Sequence, residues 1–118
     1  MLGDWSGEPA VLSWRATSDA LSARLVFPPD FKCFSGHFPS FPVLPGVAQL
    51  FFLRYFAVQA FPDFPETATY RRLKFQKVVL PSSEVVLEVS RKEGGSFVFS
   101  ITGPTGLCSS GIVERSAV

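Results

Sequence analysis

Apolar and polar positions alternate with a period of two over several stretches of this chain. From Ala20 to Phe27, Leu21, Ala23, Leu25 and Phe27 share one face, while Ser22 and Arg24 take the other. That is the pattern of a half-buried strand, and Pro28 and Pro29 end it. Glu84 to Arg91 places Val85, Leu87 and Val89 on one face, and Ser96 to Thr102 alternates Phe97, Phe99 and Ile101. Further strands are expected over Val11–Arg15, Arg71–Leu80 and Leu107–Glu114. Turn-forming residues separate the last four strands: Pro81, Ser82 and Ser83, then Gly94 and Gly95, then Gly103 to Gly106.

The period changes between Pro45 and Ala60, which predicts a helix. Proline suits a first helical turn, and Pro62 prevents continuation. Val47, Leu50, Phe51, Phe52, Leu53 and Phe56 cover nearly every side of it. A helix apolar all round is expected to be buried. The order strand, strand, helix, then four strands predicts an α+β domain, with a curved antiparallel sheet wrapping one central helix.

Composition narrows this picture. A length of 118 residues suits a single domain spanning 1–118, with residues 1–9 as a loose lead-in. Hydrophobic residues make up 47% and charged residues 18%, which supports a packed core and argues against disorder. Thirteen phenylalanines give more apolar surface than so short a chain needs inside. Part of it is expected to meet another subunit or an apolar ligand.

The net charge of +1 argues against phosphate-driven nucleic-acid binding. Arg71, Arg72, Lys74 and Lys77 form the one basic cluster, with Arg91 and Lys92 beyond it. It reads as a solvated strand face or as a docking patch for an acidic protein. Two cysteines, Cys33 and Cys108, make no disulfide framework. The opening residues lack a signal-peptide pattern, so a cytoplasmic location is expected. The apolar stretch Val47–Phe61 contains Gln49, Arg54 and Gln59, and is too short and polar to span a membrane.

The segment from Phe34 to Val47 carries the candidate chemistry. Prolines at 39, 42 and 45 stiffen it, fixing His37 relative to the helix start. Gly46 falls in the first helical turn, where backbone N–H groups lack intrahelical partners and the helix dipole favours negative charge. Without a side chain it lets a ligand oxygen reach those donors. A general base beside an oxyanion site suits proton abstraction next to a carbonyl. Cys33 and His37 lack the third and fourth ligands of a metal site, so no metal is expected.

Gly36, His37, Phe38 and Pro39, followed by Pro42 through Val47, resemble the signature of the bacterial 3-hydroxyacyl-(acyl-carrier-protein) dehydratases. Pro42 through Leu50 is most similar to the dehydratase-like proteins of aryl-polyene gene clusters, and Lys74-Phe75 through Pro81 continues the likeness. The resemblance implies a hot-dog fold, an acyl thioester on acyl carrier protein or CoA as substrate, and no cofactor. It also implies a place in fatty-acid or polyene biosynthesis. Assembly would be as a homodimer, or as a heterodimer with a related hot-dog subunit.

By the same resemblance His37 is the catalytic histidine that takes the C2 proton. The Gly46 N–H polarises the thioester carbonyl and Val47 supplies the next N–H. Phe38 and Phe51 complete the substrate-binding set. One departure stands out: the position fourteen residues after the histidine, acidic in the family or sometimes histidine, is Phe51. Tyr55, one turn on, is the available substitute, although a phenol of pKa about 10 is a weak acid at neutral pH. Two readings follow: a dehydratase with His37 as base, or a non-catalytic acyl-binding protein or partner subunit of an active paralogue. Thioester hydrolysis fits less well, because no carboxylate lies between Val47 and Phe61.

Overall fold

Alternating strands become a sheet wherever turns let neighbours pair. The computed structural model describes residues 10–27, 46–80 and 82–116, with the backbone alone for Val47. Strands β1 (Ala10–Ala16) and β2 (Ala20–Val26) precede helix α1 (Gly46–Ala60). Then follow β3 (Ala68–Phe75), β4 (Glu84–Arg91), β5 (Phe97–Gly103) and β6 (Gly106–Arg115). All pairings are antiparallel, in the order β1-β2-β4-β5-β6-β3. The chain leaves β2, forms the helix, enters at the far edge as β3, and returns to the centre as β4. Among the described residues the edges are therefore β1 and β3.

The core is the layer between sheet and helix. Leu21, Ala23 and Leu25 of β2 and Val85, Leu87 and Val89 of β4 are buried. So are Phe97, Phe99 and Ile101 of β5, as the alternation requires. The helix answers with Ala48, Phe52, Leu53, Phe56 and Ala57. Gly111 of β6 is a close-approach point: a Cβ there would lie 2.9 Å from the Phe99 ring and 3.2 Å from Leu73.

The helix turns at Phe61, whose N–H donates to the Ala57 carbonyl at 2.8 Å. Beyond the turn Arg91 of β4 fastens the layers together. Its guanidinium holds the Asp63 carboxylate through both nitrogens and stacks over Phe61 and Phe97, 5.3 and 5.2 Å from the ring centres. Its Nε donates to the Ser18 carbonyl at 3.1 Å. That guanidinium holds the Asp63 carboxyl below its ordinary pKa.

Two expectations need correction. The helix is not buried all round: Phe51, Tyr55 and Val58, spaced four and three residues apart, form an exposed stripe. One sheet covers one side of a helix, and the opposite side of this one is apolar too. The strand expected over Arg71–Leu80 instead starts at Ala68 and stops at Phe75. There the N–H groups of Gln76 and Lys77 both converge on the Cys108 carbonyl, which breaks the one-to-one ladder. Among the described residues no helix is long and apolar enough to cross a membrane.

Candidate active site

Gly46 is the first residue of α1. The neighbour that closes on it comes from β3. A Cβ at Gly46 would lie 3.1 Å from two ring carbons of Phe75, so the missing side chain lets the end of β3 close on the helix start. Phe75 pairs with Ser109 of β6, and antiparallel partners share a face. The Ser109 hydroxyl is fully buried and has no hydrogen-bond partner among the described residues. Glycine at this position thus has a packing reason, beside the chemical one expected from the sequence.

The second half of the site is the exposed side of the helix. Phe51 and Tyr55 sit one turn apart and line one groove of about 390 Å³ with Arg54, Val58, Pro62, Phe64 and Glu66. Each outer ring stands edge-on to the buried ring that follows it. Phe51 meets Phe52, and Tyr55 meets Phe56, with centres 5.1 Å apart and planes at 89° in both cases. Phe56 is backed by Trp14 of β1 at 5.6 Å.

Arg54 is the cation of this groove. Its Nη1 donates to the Pro65 carbonyl at 2.6 Å, fixing the segment that leads into β3. Burial pushes the Tyr70 phenol above its ordinary pKa, and the Arg54 charge pulls the other way. No carboxylate among the described residues forms an ion pair with Arg54.

The structure brings Phe51 and Tyr55 to one groove, as the four-residue spacing expects. It sets Gly46 at the helix start, with the Val47 backbone following in the same turn. His37, Phe38 and Cys33 lie outside the described residues. Sequence reasoning missed Arg54 and Phe75 as neighbours of the site, and Ser109 as the strand partner of Phe75. Arg54 carried one available signal, as the single cation within the apolar helix. For Phe75 and Ser109 the signal lay in a cross-strand register that no local pattern fixes.

Among the described residues one long helix packs on a six-stranded antiparallel sheet, the architecture of a hot-dog protein. A family model described as ApeI dehydratase matches residues 13–112, and the chain belongs to this ApeI-like dehydratase family. Among solved structures, it is similar to the dehydratase heterocomplex ApeI:P from Xenorhabdus doucetiae. The TM-score is 0.83 and the identity 23%, over 92% of this chain and 97% of that one. An uncharacterized protein from Erwinia carotovora subsp. atroseptica has a TM-score of 0.74 and 28% identity, over 92% of this chain and 95% of that one. No curated protein matches the chain significantly.

Proposed function

We propose that the chain is a 3-hydroxyacyl-thioester dehydratase subunit, with the thioester carried by an acyl carrier protein or CoA. Its place of work would be the cytoplasm, in fatty-acid or polyene synthesis. The observation that carries the reading is Gly46 as first residue of α1, in a chain of the ApeI-like family. The free N–H groups of Gly46 and Val47 would hold the thioester oxygen as negative charge builds on it. His37 would take the C2 proton, and the electron pair left behind would form the C2–C3 double bond. The C3–oxygen bond would break, and the oxygen would leave as water after gaining a proton. Tyr55 is the group offered for that proton, with Phe38 and Phe51 flanking the acyl chain.

The partner-subunit reading is favoured by one specific observation. α1 carries no carboxylate, and Phe51 stands where the resemblance would put the family's acid. A second hot-dog subunit with a complete dyad would then perform the elimination. The ApeI:P structure is a heterocomplex, which supports looking for such a partner. The test is ultraviolet detection of enoyl-thioester formation from a short 3-hydroxyacyl thioester, by wild type and His37→Ala. The dehydratase reading expects turnover in wild type and none in a His37→Ala protein of unchanged melting temperature. Turnover only after a complete-dyad subunit is added, and equal with either form, would leave the partner reading standing instead.

A further inference from the structure

We infer that the β3 edge of this chain selects a partner subunit with an acidic edge strand and disfavours a second copy of itself. The inference deepens the partner-subunit part of the proposed function and rests on it. β3 ends the sheet, so its outer backbone groups face away from β6. An edge of this kind either pairs with another strand or must be blunted.

Apolar surface gathers around this edge. Of the eleven large apolar side chains exposed among the described residues, Leu73 and Phe75 lie on β3, Val78 and Leu80 just beyond its end, and Val98 on β5, across β6. Leu73 and Val98 share a groove of about 330 Å³ with Arg72 and Lys74. An edge meant only for water has no use for that much apolar surface.

The charge on the edge identifies what covers it. Arg71, Arg72, Lys74 and Lys77 lie within seven residues, and the sequence holds no acid between Glu66 and Glu84. Arg71 is answered by Glu114 of β6 at 3.0 Å. Arg72 and Lys74 have no ion-pair partner among the described residues. Arg72 sits at a positive φ of 53°, inside the bulge between Arg71 and Lys74, so the ladder to β6 is interrupted at the basic stretch.

Two copies meeting edge to edge about a two-fold axis run antiparallel. With the axis anywhere between residues 71 and 74, the basic stretch Arg71–Lys74 of one copy runs alongside that of the other. Like charges directly opposite each other destabilise a strand pair, whereas a partner strand carrying Asp or Glu there turns each clash into an attraction. The apolar flank supplies the affinity and the charge supplies the choice.

A charge-reversed copy of this chain serves as the acidic-edged partner. Sedimentation is measured for wild type, for Arg72→Glu/Lys74→Glu, and for their 1:1 mixture. The mixture is expected to associate at least tenfold more tightly than either protein alone, and to lose that advantage between about 50 mM and 500 mM salt. The neutral variant Arg72→Gln/Lys74→Gln, with circular dichroism as the check on folding, is expected to self-associate more tightly than wild type. Wild type pairing with itself as tightly as the mixture would overturn the inference. So would a mixture that stays monomeric, which would make the basic edge a guard against aggregation. No turnover is read, so these outcomes are separate from failure of the dehydratase chemistry.

Discussion

Replacing Phe51 with glutamate puts a carboxyl where the resemblance expects the family's acid, and the structure sets what that costs. Phe51 is 42% exposed. A phenylalanine buries about 200 Å² when fully covered, so roughly 115 Å² is withdrawn from water here. At about 25 cal/mol per Å² that is about 3 kcal/mol as an upper bound. The edge-on contact with Phe52 is part of what is lost. The glutamate methylenes recover some burial, and glutamate is the better helix former. A net loss of about 1–2 kcal/mol follows, or about 4–8 °C in Tm for a domain of this size. The new carboxyl would stand one turn from Arg54, in the same groove. That guanidinium lowers the carboxyl pKa while the apolar walls raise it. The variant should therefore form enoyl thioester at least about tenfold faster than wild type. Its rate should fall as pH rises and the carboxyl ionises, and adding Arg54→Gln should move that fall to higher pH. Melting curves and ultraviolet rates across pH provide the assay. A folded Phe51→Glu protein with no gain at any pH would refute the idea that a missing acid is what limits this scaffold.

Three further outcomes follow from the packing. Gly111→Ala should cost about 1–3 kcal/mol by denaturant titration, because its Cβ would fall 2.9 Å from the buried Phe99 ring. Gly46→Ala should lower turnover, and adding Phe75→Ala should restore stability but not rate if the N–H approach matters beyond packing. Asp63 has a folded pKa below its unfolded value, so its stabilisation is present above about pH 4 and is lost as pH falls through the folded pKa. Arg91→Ala should flatten that acid limb in a series of melts.

The sheet was legible because its alternation is local. Val85, Leu87 and Val89 name their buried face without knowledge of the partner strands, and β4 appears over the expected residues. What surrounds the helix was not legible. With Phe51, Phe52, Leu53, Tyr55 and Phe56 in one run, apolar character does not distinguish the side facing the sheet from the side left open. The end of β3 was hidden for a related reason. Val78, Val79 and Leu80 read as strand, but the doubled hydrogen bonding of Gln76 and Lys77 to the distant Cys108 carbonyl decides where the regular ladder stops. For the site, proline spacing and the glycine pointed to the helix start. The closure of Phe75 over Gly46 depends on a register set across three strands.

The chain's claim to dehydratase chemistry rests on the base, and C2 proton exchange isolates it from the acid. A 3-hydroxyacyl thioester is incubated with the protein in D₂O, and deuterium at C2 is followed by NMR. Wild type is expected to exchange that proton well above the buffer rate even where water loss is slow, and folded His37→Ala should return to the buffer rate. Exchange no faster than buffer in wild type, or undiminished in His37→Ala, would contradict the assignment of His37 and the function built on it.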